Sequence, residues 1–207
     1  WPAFEQRLDM LEESVEVIRM LWEGETATYY GLYYTVENAR IYTLPEILPL
    51  IMVAASGPTA AELAGSIGDG FISTSPEKEL VDAFAAGGDA NRPKYGQFTV
   101  CCDENTARAR QIAHKWWPTA ALHGQLGQEL PMPALFEHAV KNVSEDDVAE
   151  VIVCGNDPDE HRDMIQKYID AGFNHVYVHQ VGPDQEAFFR FYEREILPHY
   201  NQEMVGK

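Results

Sequence analysis

"LPLIMVAASGPTAAELAG", residues 48–65, decides how the chain folds. An apolar run ends at Ser56-Gly57-Pro58-Thr59 and passes straight into Ala, Glu and Leu, which favour helix. A short apolar run closed by turn residues predicts a buried strand. Pro58 suits a first helical position, because its missing N–H would be unpaired there anyway. The stretch therefore predicts strand, tight corner and then a helix over 58–67.

The same order repeats outward from it. "DGFIST" predicts a strand followed by a helix over 76–86, with Ser75 as cap, Pro76 at its start and Glu77 in its first turn. "GQFTVCC" predicts a strand and a helix over 104–116. "HVYVHQV" predicts a last strand, followed by a helix over 184–202. Strands alternating with helices imply a parallel sheet covered by helices. Upstream, Phe4, Leu8, Leu11, Val15, Ile18 and Trp22 recur at helical spacing, with Pro2 before and Gly24 after. "TATYYGLYYTVENARIYTLP" reads as a β-hairpin or extended excursion. Between the third and fourth strand–helix pairs lies a mostly helical insertion with Pro breaks. Ser144 caps a short helix after it, and Asp157-Pro158-Asp159-Glu160 opens another.

Composition narrows the function. The 207 residues are 45% hydrophobic, enough for one sizeable core, and a single domain over 1–207 is expected. The 33 acidic residues against 15 Lys and Arg give a net charge of -18, which disfavours nucleic acid and anionic membranes as partners. The apolar runs are too short for a membrane span. Cys101, Cys102 and Cys154 are an odd count without CxxC spacing, so small buried thiols in a reducing, cytoplasmic protein are expected. The chain opens on Trp1 and not Met, which reads as a processed chain, a partial one or a truncated reading frame.

In parallel α/β folds, ligands sit at the carboxyl ends of strands. Ser56 to Thr59 forms such a loop. Gly57 lets a ligand approach the backbone, and the N–H groups of Thr59, Ala60 and Ala61 form a seat for an anion at the positive end of a helix dipole. An ordinary tight turn is the alternative. The second corner, with Glu77 beside it, reads as a plain cap. His175 and His179 would stand about 13 Å apart along a strand at ~3.3 Å per residue, too far to share a metal. No metal site is expected. His175, Tyr177 and His179 share one strand face, with Val176 and Val178 on the other. Trp116-Trp117 and the cluster Phe188, Phe189, Phe191, Tyr192 read as core or subunit contact.

"YYTVENARIYTLP", "VAASGPTAAELAGSIGDGFISTSP" and "DPDEHRDMIQKYIDAGFNHVYVHQVGPDQEAFFRFYERE" together resemble the luciferase-like (β/α)8 oxidoreductases. Within that superfamily they are most similar to the F420-dependent glucose-6-phosphate dehydrogenase branch. The resemblance runs from Trp1 to about Leu197. It implies an α/β fold, a TIM barrel, of which this chain looks like the second half and lacks the first strands. It implies coenzyme F420, contacted by the corner Ser56, Gly57, Pro58 and Thr59, with FMN as the alternative cofactor. The branch binds a small-molecule substrate and is often homodimeric. Its hydride-transfer His and Glu lie on the first half of the barrel, so no catalytic residue is expected here. The sugar-phosphate site matches at Thr74 and Arg162, but Glu77 and His138 stand where the branch has Lys. His179, by its place nearest the carboxyl end of its strand, is read as a substrate contact bordering the active site, the alternative being a hydrogen-bonded barrel histidine. Glu in place of Lys reverses a charge beside a phosphate, so a neutral alcohol or carbonyl compound fits at least as well. The implied activity is hydride transfer between a small polar alcohol or sugar and the deazaflavin. An FMN-dependent monooxygenase and a non-catalytic half-barrel are the alternatives.

Overall fold

The computed structural model describes residues 2–122, 124 and 126–204, without the side chains of 128 and 201–204. Trp1, the start of the expected resemblance, and 205–207, the end of the expected single domain, lie outside them. The chain divides into two compact units, 1–96 with 171–175, and 97–170 with 176–207.

The first unit opens with α1 (Phe4–Trp22), ended by Gly24 at φ 79°, where glycine carries no steric penalty. Its buried face differs from the expected stripe. Val15 is buried as expected, but Glu13 and Val17 are buried beside it, whereas Phe4 and Ile18 are exposed. The difference comes from the next element, the antiparallel hairpin β1 (Ala27–Tyr30) and β2 (Thr35–Ala39). Its turn lies over Glu13. The Glu13 carboxylate accepts N–H bonds from Leu32, Tyr33 and Tyr34 at 2.7–3.2 Å. A buried carboxylate held by three amides is a strong anchor for a loop.

Strand β3 (Met52–Ala54) is shorter than expected, and Leu48 and Leu50 before it are exposed. It leads into α2 (Pro58–Ile67), as the sequence predicts, then β4 (Gly70–Ser73), α3 (Lys78–Gly87) and β5 (Lys94–Cys101). β3, β4 and the first residues of β5 pair in parallel. Val53 and Phe71 point to the helix side, where Phe71 stacks on Phe84 and Phe173 at 5.3 and 5.8 Å. Helices α2 and α3 meet backbone to backbone. A Cβ on Gly65 would strike the carbonyl of Phe84, and one on Gly87 the carbonyl of Glu62. Arg92 then donates to the carbonyls of Gly65 and Gly68 at 2.8 and 2.7 Å.

The second unit continues with α4 (Thr106–Trp116), capped by the Asn105 side chain, and a 3-10 turn over Pro118–Ala121. The insertion holds α5 (Leu126–Glu129) and α6 (Pro133–Ala139). Ser144 and Asp147 form a capping box at the head of α7 (Glu145–Ala149). A two-residue strand, β6 (Val153–Cys154), not foreseen from the sequence, pairs in parallel with Val100 and Cys101. Then follow α8 (Pro158–Ala171), β7 (His175–Gln180), α9 (Gln185–Phe191), a π-helical turn over Tyr192–Ile196, and α10 (Leu197–Met204). Cys101, Ala109, Ala113, Val148, Ile152 and Cys154 form a buried cluster of small side chains.

In the first unit β4 lies between β3 and the start of β5, and in the second both β6 and β7 pair with the rest of β5. Asn174 N–H bonds to the carbonyl of Lys94, and Val181 N–H to that of Val100, so β7 runs parallel to β5. In the second unit Phe98 packs under Tyr168 of α8 at 6.0 Å and Val100 is buried, on the helix side. Their neighbours Gln97 and Thr99, with Tyr177 and His179, are half-buried or exposed on the other side. Strand alternation thus gives the sheet one covered and one more open face. Tyr177 and His175 stand on the more open face, as the alternation predicts. Trp116 and Trp117 are exposed rather than core, and so is Phe189, while Phe188, Phe191 and Tyr192 are buried. Among the described residues no helix is long and apolar enough to cross a membrane.

Candidate functional site

At the end of β3, Ala55 N–H still bonds to the carbonyl of Ile72, and the chain then turns outward. Gly57 is the N-cap of α2, extended at φ -147° and ψ 158°, and Pro58 is its first residue. Because the cap falls on Gly57, Ala61 N–H closes the first helical bond to the Gly57 carbonyl at 3.0 Å. The expected three-amide seat is corrected to two. The N–H groups of Thr59 and Ala60 have no acceptor among the described residues. No acidic side chain occupies the first turn of α2, so nothing screens the positive end of its dipole. Gly57 has no conformational need for glycine, and a Cβ there would meet nothing within 4 Å. The space before the two amides is open. Ser56, Pro58 and Thr59 are exposed around it.

The second corner departs from its expectation. Helix α3 begins at Lys78, not Pro76, and Glu77 is its N-cap without a side-chain capping bond. The buried Ser73 hydroxyl accepts the Ser75 N–H at 3.2 Å, which closes a turn around Thr74 before the helix. Ser75 therefore does not cap the helix. Thr74 and Glu77 are exposed, and Lys78 is engaged by Asp82 one turn along.

The remaining candidates belong to the second unit. His138 is exposed in the last turn of α6. Arg162 on α8 is held by Asp159 at 2.6 Å. His179 is half-buried near the carboxyl end of β7. Its Nδ1 lies 3.5 Å from Thr99 Oγ1, and its ring meets Trp117 edge-on at 5.1 Å and 74°. These three candidates share no hydrogen bond or ring contact with one another among the described residues. No group of three His, Cys, Asp or Glu among the described residues could hold a metal.

Sequence reasoning passed over a buried polar network beyond the carboxyl ends of β5 and β6. His161, fully buried on α8, lies 3.1 Å from the Gly155 carbonyl through Nε2 and 2.8 Å from Tyr192 Oη through Nδ1. A carbonyl only accepts, so Nε2 carries the proton and Nδ1 takes the Tyr192 O–H. Burial holds the imidazole below its ordinary pKa and pushes the Tyr192 phenol up. Gln180 pairs its amide with the Cys102 backbone, accepting the N–H at 2.8 Å. A lone His in a polar helix carries no periodic signal, which is why it was missed. Cys101, Cys102 and Cys154 are free and buried, as expected. Burial pushes their thiols up to about 12, 11 and 11.

The family model of the luciferase-like monooxygenases matches residues 3–175. The chain belongs to this luciferase-like family. Among curated relatives it is 35% identical over 212 residues to the F420-dependent glucose-6-phosphate dehydrogenase of Microbacterium testaceum, and 32% identical over 210 residues to that of Rhodococcus hoagii. Each alignment covers 96% of this chain and 62% of the relative, so the luciferase-like chain spans under two thirds of the relatives' length. An F420-dependent secondary alcohol dehydrogenase, solved with an F420-acetone adduct, superposes with a TM-score of 0.81 at 24% identity, covering 95% of this chain and 63% of that one. The F420-dependent tetrahydromethanopterin reductase of Methanopyrus kandleri gives 0.64 at 23% identity, covering 91% of this chain and 62% of that one. The luciferase-like fold is therefore established, with a parallel sheet that accounts for part of the barrel.

Proposed function

We propose that the protein is an F420-dependent oxidoreductase that moves hydride between a hydroxyl-bearing carbon of a small polar substrate and the deazaflavin. The observation that carries this reading is the open corner at Gly57, beside two amides without acceptors and with no acid in the first turn. A phosphate-bearing cofactor fits that chemistry, and the named activity of the relatives selects F420. Thr59 and Ala60 would donate their N–H groups to the phosphate, Gly57 would leave it room, and Ser56 and Pro58 would flank it. F420, when bound, supplies the hydride acceptor. Thr74, Glu77, His138, Arg162 and His179 are the candidate substrate contacts, and the proton-handling groups are assigned to barrel elements other than these. Glu77 and the paired Arg162 argue for an alcohol or unphosphorylated sugar over glucose 6-phosphate. We further propose one cooperative domain, a homodimer and a cytoplasmic location.

The test is deazaflavin binding, read as a change in F420 fluorescence, with FMN in parallel. Thr59→Glu places a carboxylate in the first turn of α2. It leaves stability unchanged or raises it by about 0.3–1 kcal/mol and weakens F420 at least tenfold. Unchanged affinity in that variant would sink the assignment of the corner. Tighter binding of FMN than of F420 would replace the dehydrogenase by the monooxygenase reading.

A further inference from the structure

The rings of the described histidines are spent differently. His114 uses Nε2 on the Val143 carbonyl, His161 uses both nitrogens, and His175 bonds to Asn174 and stacks on Tyr95. His179 has only the long contact from Thr99 to Nδ1. Its Nε2 has no hydrogen-bond partner among the described residues, although the ring is half-buried. Trp117, at its edge, is 42% exposed, and its indole N–H likewise has no partner among them. No buried side-chain nitrogen or oxygen among the described residues lacks a partner, so the imidazole nitrogen and the indole N–H both open to solvent at one place, where a ligand can replace water. They stand on the more open face, near the carboxyl ends of β5 and β7, where this architecture puts its ligands.

We infer that Trp117 and His179 form a recognition site for a neutral hydroxy or carbonyl compound, the substrate class of the reaction proposed above, on which this inference rests. Trp117 offers a donor and an apolar ring surface, suited to the C–H face and oxygen of a polyol or alcohol. His179 Nε2 completes the pair as donor or acceptor, according to the tautomer that Thr99 sets. None of Thr99, Trp117 and His179 carries a fixed positive charge, and the site therefore gives a phosphate dianion no counter-charge and favours a neutral ligand. Trp117 is the new assignment. It sits just past a helix end, in an aromatic pair that reads as packing in the sequence, and only its contact with His179 gives it a role in specificity.

The experiment follows the Trp117 indole N–H resonance, assigned from the Trp117→Phe spectrum, while glucose or glucose 6-phosphate is added to the whole chain. Glucose is expected to shift the resonance in a saturable way, and glucose 6-phosphate to bind at least tenfold more weakly. Trp117→Phe keeps the ring and loses the donor, and His179→Gln keeps a hydrogen-bonding amide. Each should weaken glucose about tenfold, read on the remaining member's resonance, with unchanged circular dichroism. A resonance that does not move with either sugar, or stronger binding of the phosphate, overturns the inference. If His179→Gln does not fold, Trp117→Phe decides alone, read on the His179 ring. F420 binding, measured separately, shows whether the oxidoreductase reading stands. An unmoved indole with F420 bound refutes the Trp117 assignment alone. A moving indole without F420 binding keeps the sugar site and refutes the oxidoreductase.

Discussion

Removing the Glu13 carboxylate should unlock the hairpin from α1. In Glu13→Ala three backbone N–H groups, of Leu32, Tyr33 and Tyr34, lose their acceptor together. A hydrogen bond to a charged acceptor is worth about 1.5–3 kcal/mol, but this turn is partly exposed and water recovers some of that. About 1 kcal/mol for each amide remains, so the loss is about 3 kcal/mol. For a chain of this size that lowers Tm by about 6–12 °C. Glu13→Gln keeps one carbonyl oxygen but turns an NH2 group toward the amides, and should lose about 2 kcal/mol. The assay is urea unfolding followed by circular dichroism, with amide exchange at residues 32–34 as the local readout. Both variants should expose those three amides first. A loss below 0.5 kcal/mol in both variants, with protection intact at 32–34, would refute the reasoning and show that water replaces the carboxylate.

Other expectations rest on burial and close approach. His161 is held below its ordinary value of 6.5 by burial, so the unfolded chain binds its proton first as pH falls. The stability it contributes is complete above about 6.5 and is lost below it, toward its folded value. Melting curves between pH 8 and 5 should show that loss, and His161→Phe, though less stable throughout, should lack it. The three buried thiols should resist iodoacetamide at pH 8 until urea unfolds the chain; labelling of the native protein would contradict their burial. Gly65→Ala should cost about 3 kcal/mol or more, because its Cβ meets the Phe84 carbonyl, whereas Gly57→Ala should leave Tm unchanged. Calorimetry of the two variants separates a glycine kept for packing from one kept for a ligand.

Much of the architecture was legible before any coordinates, because it rests on local signals. The strand, corner and helix of 50–67, the hairpin, Gly24, the Ser144 box and the Asp157 start all follow from turn chemistry and periodicity that tertiary packing did not override. What escaped depends on partners distant in sequence. The face of α1 is set by a hairpin turn that lies on Glu13. Before α3, the Ser73 hydroxyl takes the Ser75 N–H in a turn, and the helix begins only after Glu77, which becomes the cap rather than part of the first turn. The two-residue strand β6 exists only through its pairing with β5. At the candidate site the corner was readable from Gly and Pro, but the number of open amides needed the position of the cap. Trp117 was visible only as part of an aromatic pair, since its contact with His179 spans a long stretch of chain.

The glycine contact between α2 and α3 has a consequence for engineering. With two backbones touching at Gly65 and Gly87 and Arg92 tied across Gly65 and Gly68, neither helix can slide against the other. The loops at their heads, 56–59 and 74–77, are then carried on one rigid frame. Altering the spacing of one loop shifts its helix and so displaces the other. Anyone recombining this protein with its relatives to change cofactor or substrate preference should exchange residues 50–92 as one cassette, with breakpoints outside it. A crossover between the two helices would pair surfaces that were never fitted to each other.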